Sequence, residues 1–180
     1  MADVVITGSQ GFLGKHLMRR LEQEGADVCG TYSYTLPSIP SKYRRTYFKL
    51  DVTKFEDCLK LINQENPQII YHLVAQPVVT AGKRHPFSTF ELPIRGAYNM
   101  LEAIRQTGKP TAVIVVSSDK VYGENENAKE EDRLDGVEHP YTAAKVCEDV
   151  IAQSYAKSFG LPIAIIRSAN IYGEGDFHWD

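Results

Sequence analysis

Several things are scarce in this 180-residue sequence, and each scarcity removes a class of function. Cysteine occurs three times, as Cys29, Cys58 and Cys147; an odd number with no C-x-x-C pairing rules out a disulfide framework and a zinc site of that spacing. Basic charge is not in excess: 20 Lys and Arg against 23 Asp and Glu leave a net charge of -3. Beyond the short KYRR at 42–45 no cationic cluster stands out, so nucleic acid and membrane surfaces are not expected partners. No apolar run approaches the roughly 18 residues of a membrane-spanning helix. The histidines at 16, 72, 85, 139 and 178 lack ligand spacing, so no metal site is read, and His72 in an apolar strand is taken as a core residue. MADVVITG reads directly as a strand, leaving no room for a signal peptide, and the expectation is a cytoplasmic protein in a reducing compartment.

The sequence is 43% hydrophobic and 24% charged, ordinary values for one globular domain with a sizeable core. Short apolar runs alternate with helical patterns along the whole chain, the trace of repeated strand-helix-strand units and a parallel sheet buried on both faces. Strands are predicted at 3–7, 26–32, 47–52, 68–74, 111–117 and 162–168. The spacing of Leu13, Leu17 and Leu21 gives the first helix, 13–24, one apolar stripe, with Gly25 as its stop. Further helices are predicted over 54–65, 86–107 and 139–160, ended by Pro67, the GKP at 108–110 and Gly160. The segments 33–46 and 123–138 read as loops; the second carries seven acids against two bases. There is no internal repeat.

Directly behind the first strand stands TGSQGFLG, residues 7–14. A strand that ends in a tight turn and feeds a helix aims the helix's unpaired N–H groups and positive dipole end at whatever lies above the turn, which makes a phosphate seat. Gly8 suits the turn, Gly11 lets backbone approach a pyrophosphate, and Gly14 permits close helix–strand packing. The spacing is G-x-x-G-x-x-G, not the standard G-x-G-x-x-G, and the loop lacks the G-K-[ST] ending of nucleoside triphosphatases.

Two further groups carry chemistry. PYTAAK places Tyr141 and Lys145 four residues apart at the start of a helix, on one face. A free phenol titrates at about 10 and is a poor base near neutrality. An ammonium one turn away favours its phenolate. The strand ending VVSSDKVYG delivers Ser117, Ser118, Asp119 and Lys120 beyond the carboxyl end of a parallel sheet, where ligands of such sheets sit.

Taken together, TGSQGFLG, LDVT (50–53), HLVAQP (72–77), GAYNMLEA (96–103), SSDKVYG, YTAAK and RSANIYGEGD (167–176) resemble the extended short-chain dehydrogenase/reductase family, specifically its nucleotide-sugar epimerases and dehydratases. The resemblance implies a Rossmann-type doubly wound α/β fold over 1–180, truncated because the C-terminal substrate domain of the family is absent from this sequence. It implies NAD as cofactor, with NADP open, bound by Gly8, Gln10, Gly11, Phe12, Leu13 and Gly14 at the pyrophosphate and bordered by Asp51, Val52, Leu73 and Ala75. Tyr141 and Lys145 would hold the nicotinamide ribose, Tyr141 would be the acid/base, and Ser118 would bond the reacting oxygen of a nucleotide-sugar substrate that also meets Asn170. A homodimer through 86–107 and 139–160 is expected on the same ground.

Within the family an acid and a second proton-transfer residue directly after the hydroxyl mark dehydratases, and Asp119-Lys120 with AQP and GEGD is similar to CDP-glucose 4,6-dehydratases. Lys120 would then be the C5 base and Asp119 the acid, a role that requires desolvation or neighbouring charge at the lysine. The alternatives are a 4-epimerase and a non-catalytic dinucleotide-binding module. Two departures stand out. The second strand ends GTYSY without an acid for the ribose diol, leaving Arg44 and Arg45 as candidate contacts of a 2'-phosphate. Pro93 stands where relatives commonly have asparagine, so local distortion of the helix is expected.

Overall fold

The computed structural model describes residues 2–34, 46–76, 79–125 and 127–176. Most of the 33–46 loop, including Arg44 and Arg45, and also Pro77, lie outside the described residues. The chain runs β1 (Val4–Thr7), α1 (Phe12–Gln23), β2 (Val28–Tyr32), β3 (Thr46–Lys49), α2 (Phe55–Glu65), β4 (Ile69–His72), α3 (Val79–Arg84), α4 (Pro86–Phe90), a π-helical turn (Glu91–Arg95), α5 (Gly96–Thr107), β5 (Ala112–Ser118), a 3-10 turn (Asp119–Tyr122), α6 (Pro140–Phe159) and β6 (Ile163–Ser168). All six strands pair in parallel in the order β3-β2-β1-β4-β5-β6. That is the doubly wound order expected from the alternating pattern.

The sheet separates two apolar layers because successive side chains of a strand point to opposite faces. Val5 of β1 joins Ile70, Val113 and Val115 under α2, α5 and α6, where Leu61, Ile62, Met100, Leu101 and Ile104 are buried. Its neighbours Val4 and Ile6 join Val28 beneath α1. Each such fully buried aliphatic side chain stabilises the fold by roughly 1.5–3 kcal/mol relative to exposure. The stripe of α1 differs from the expected one: Met18 is its fully buried anchor, with Leu17 and Leu21 packed alongside, while Leu13 falls outside that cluster. The reason is helical phase: positions 17, 21, 14 and 18 share one face about 100° wide, and position 13 lies about 40° beyond its edge.

The expected terminators act as backbone geometry predicts. Asn66, before Pro67, adopts φ 49° and closes α2, and Gly108 and Gly160 close α5 and α6 at φ 64° and 67°. The predicted helix over 86–107 is broken into α4, the π turn and α5. Pro93 is the cause: without an N–H it cannot continue the i→i−4 ladder, and the coil widens around it. The sequence pattern missed α3, and it extended the third strand through residue 52, whereas β3 ends at Lys49 and Asp51 and Val52 lie in the turn into α2. The acidic stretch after Gly123 has no helix or strand among its described residues, as expected.

Candidate functional site

The connection after β1 runs to one side of the sheet and the connection from β3 crosses to the other, so the crevice beyond β1 and β4 is the topological switch point. Gly8 occupies it with φ +68°, and a Cβ there would lie 3.1 Å from the backbone carbon and oxygen of Leu73. The turn therefore rests against the loop leaving β4. The Gly11 amide donates to the Gly8 carbonyl at 3.0 Å, and the Ser9 hydroxyl donates to the Thr31 carbonyl at 2.9 Å, pinning the turn to the end of β2. Gly14 is the tightest point, since an added Cβ would sit 2.4 Å from the Gly8 oxygen and 2.7 Å from the Ser9 Cα.

Gly11 is the N-cap of α1 and places no side chain over the helix end, and the first turn holds no acid. The amides that open α1 thus face outward beside Gln10 and Phe12, which line a cavity of about 390 Å³ with Lys15, His16 and Glu174. A cradle of main-chain donors, a first helical turn without an acid and glycines where a side chain would intrude fit a pyrophosphate. Leu73 and Ala75 are half-buried on the β4 side of the crevice.

On the β2–β3 side Val52 is buried, and its carbonyl accepts from the Asn99 amide at 2.9 Å. Gly96 sits beneath it; an added Cβ would lie 3.0 Å from a Val52 methyl. The Asp51 carboxylate accepts from the hydroxyl of Thr53 at 2.7 Å and from its amide at 3.1 Å, with Lys54 3.7 Å away. Those bonds, the Thr53 hydroxyl first, hold the carboxyl below its ordinary range against the opposing effect of burial.

His72 is 1% exposed, as expected of a core residue. Its Nδ1 lies 3.1 Å from the Thr7 hydroxyl, which in turn accepts from the Leu73 amide at 3.1 Å. Burial, and secondarily the charge of Lys145, push its imidazole down to about 3, so it stays neutral.

The reacting end is built by β5 and α6. Ser118 closes β5; its hydroxyl donates to Asp119 at 3.2 Å and accepts from the Lys120 amide at 3.3 Å, capping the 3-10 turn. Asp119 and Lys120 are exposed, and with Tyr122, Glu130 and Arg167 they line a cavity of about 880 Å³ beyond the sheet's carboxyl edge. Pro140 opens α6 at its first turn, where its fixed φ suits the helix. Tyr141 is half-buried there, and among the described residues its hydroxyl has no hydrogen-bond partner.

Lys145 is 3% exposed, and its ammonium donates to the Val116 carbonyl at 2.8 Å and to Glu148 at 2.7 Å. Asn170, two residues past β6, is exposed and lines neither cavity. The structure thus gathers Ser118, Asp119 and Lys120 at one strand end and ties Lys145 to the same strand. Sequence reasoning missed Glu148 and Asp149, both 0% exposed on α6, and the bond that Arg167 donates to Asp149. The available signal was two acids three and four residues after Lys145, on the face that α6 turns toward β5.

A six-stranded parallel sheet in this order with a glycine cradle at its switch point defines the doubly wound class that takes dinucleotides. The model of the NAD dependent epimerase/dehydratase family matches residues 4–180. The chain belongs to that family. It is 30% identical to CDP-glucose 4,6-dehydratase of Salmonella typhimurium over 98% of its own length and 54% of the relative's. To a probable UDP-glucuronate 4-epimerase of Rhizobium meliloti it is 31% identical, over 94% of this chain and 53% of that one. The crystal structure of Thermus thermophilus UDP-glucose 4-epimerase in complex with NAD superposes with a TM-score of 0.84 at 28% identity, covering 97% of this chain and 58% of that one. The chain spans about half the length of the relatives it matches.

Proposed function

We propose that this chain is the NAD-binding part of a nucleotide-sugar 4,6-dehydratase acting on a CDP-glucose-like substrate. The observation that carries this is the run Ser118-Asp119-Lys120, a hydroxyl bonded to a carboxylate with an exposed amine beside it, facing a cavity of about 880 Å³ at the end of β5. The glycine turn and the amides of α1 hold the pyrophosphate, Asp51 and Val52 border the adenine, and Tyr141 and Lys145 hold the nicotinamide ribose. NAD, when bound, would supply reversible hydride acceptance between C4 and C6 of the sugar.

The protein's own groups move the protons. Tyr141 takes the proton of the C4 hydroxyl while Ser118 bonds that oxygen. The ketone so formed acidifies the C5–H bond; Lys120, desolvated once the sugar fills the cavity, removes that proton, and Asp119 protonates the departing C6 hydroxyl as water. Lys120 returns its proton to C5 as C6 is reduced, while Tyr141 passes the C4 proton back to Asp119 through solvent. Atoms balance as loss of one water, with the cofactor regenerated.

The alternative is a 4-epimerase, which needs Tyr141 and Ser118 but neither Asp119 nor Lys120; the likeness to a probable 4-epimerase at 31% identity keeps it open. Incubation with NAD and CDP-glucose separates them: a 4-keto-6-deoxy sugar is expected, and a C4 epimer without it overturns the dehydratase. Lys120→Ala should abolish dehydration and leave NADH binding intact, whereas full turnover refutes the base assignment. Cofactor binding with no product from a panel of nucleotide sugars would favour a binding module. A fluorescence titration of NADH against NADPH decides the cofactor, with NADH expected to bind more tightly.

A homodimer fits the same reading. Val150 of α6 is 52% exposed and Phe87 of the adjoining α4 is 78% exposed, apolar surface on helices that pack together. Three cysteines that form no disulfide suit the cytoplasm, and among the described residues no helix is long and apolar enough to cross a membrane.

A further inference from the structure

Lys145 and Glu148 form an ion pair whose side chains are 4% and 0% exposed, at 2.7 Å. An ammonium has three donors and no acceptor. Two are committed, one to the Val116 carbonyl of β5 at 2.8 Å and one to Glu148. Only one remains to meet a ligand or Tyr141. Its direction is set by the other two, because a buried side chain with two short bonds in fixed geometry has little freedom left. Glu148 itself is half-satisfied, since its Oε1 is buried with no hydrogen-bond partner. A carboxylate held in such a place is costly unless it faces a charge, and breaking a buried pair strands its survivor.

From this geometry we infer that Glu148 is a positioning residue for Lys145, a clamp that fixes the ammonium against β5 so that its third N–H points into the dinucleotide crevice. The inference rests on the NAD-binding role proposed above for Lys145. It adds a residue to which no part in that role is otherwise given. The group whose charge reaches the pair is Asp149, adjacent on α6 and held by Arg167 of β6, while the charge of Lys145 in turn reaches the neutral imidazole of His72 on β4. Burial first, and Asp149 next among the groups acting in the same direction, raise the Glu148 carboxyl to about 7 despite the opposing pull of Lys145. The clamp therefore tightens as pH rises through neutrality and Glu148 ionises.

The test compares wild type, Glu148→Ala and Glu148→Gln, each checked for folding by thermal melt. Glu148→Ala should weaken NADH binding about tenfold, and Glu148→Gln, whose amide oxygen still accepts from the ammonium, should recover most of it. Wild-type affinity should rise between pH 6 and pH 8, and that dependence should vanish in Glu148→Gln. Wild-type affinity and an unchanged pH profile in both variants would overturn the clamp, even if either melts earlier, because a purely structural role moves the melt alone. A second measurement is independent of cofactor: acylation of Lys145 by an amine-reactive ester, read by mass spectrometry. It should be suppressed in wild type and rise about tenfold in Glu148→Ala as the amine is freed. Equal labelling overturns the clamp. If no variant binds NADH while the labelling contrast holds, the cofactor assignment fails and the clamp stands.

Discussion

Arg167 donates from Nε and Nη2 to the two carboxylate oxygens of Asp149, at 2.8 and 3.0 Å, and thereby bolts β6 to α6 one residue along from the Lys145–Glu148 pair. The same guanidinium donates to the Tyr122 hydroxyl at 2.6 Å and to the Glu130 carbonyl at 2.8 Å, so one side chain joins a strand, a helix, the 3-10 turn and the acidic loop. Asp149→Ala leaves a guanidinium with unmet donors at a site where its side chain is 16% exposed. Truncating one partner of such a pair costs about 3 kcal/mol. Urea denaturation should show that loss, and a midpoint equal to wild type would mean the bidentate contact contributes nothing net.

Gly14→Ala should be more damaging than alanine's helix preference suggests. The new methyl would meet backbone at 2.4 Å, where nothing flexible can move aside. Overpacking of this kind costs roughly 1–3 kcal/mol, and relief requires α1 to lift from the turn. Both the denaturation midpoint and NADH affinity should fall. An unaltered NADH titration would separate the turn from cofactor binding.

Acid stability should carry the mark of His72. Its folded imidazole is depressed to about 3, from 6.5 when solvated. Between those values the unfolded chain binds a proton that the folded chain refuses, so the stability is fully present above about 6.5 and is lost progressively as pH falls toward 3. From this residue the slope approaches about 1.4 kcal/mol per pH unit. His72→Asn should lack that component, and identical acid limbs for variant and wild type would contradict it.

Thiol labelling tests the surface. Cys29 and Cys58 are buried, and burial, aided by Asp57, raises the Cys58 thiol to about 12, whereas Cys147 is exposed on α6. Native protein should take up one equivalent of an alkylating reagent, at Cys147. If α6 forms the dimer contact, that uptake should slow as protein concentration rises. Rapid labelling at every concentration would count against a dimer through this helix.

How much of this was legible beforehand depends on the range of the interaction. Strand and helix positions follow local periodicity, and the glycine turn follows from backbone constraint at Gly8 and Gly14, so both could be read from neighbours in sequence. The bend at Pro93 was legible for the same reason, since a missing N–H is a local fact. Helix α3 was not, because six residues, VTAGKR, carry too little periodicity to register. Nor was the burial of Lys145, Glu148, Asp149 and Arg167. Four charged groups in sequence suggest a solvated face, and only the docking of α6 onto β5 and β6 turns them inward as two compensating pairs.

The widened coil around Pro93 accommodates a surplus residue relative to a regular helix. Were that turn to close into regular α-helix while keeping the extra position, α4 and everything upstream would spin by about 100° relative to α5. Thr89, now enclosed, would swing out, and the aromatic rings of Phe87 and Phe90 would sweep to another quarter of the surface. That one irregular turn therefore acts as a rotary setting, holding the sticky side of the molecule where it is despite the extra position.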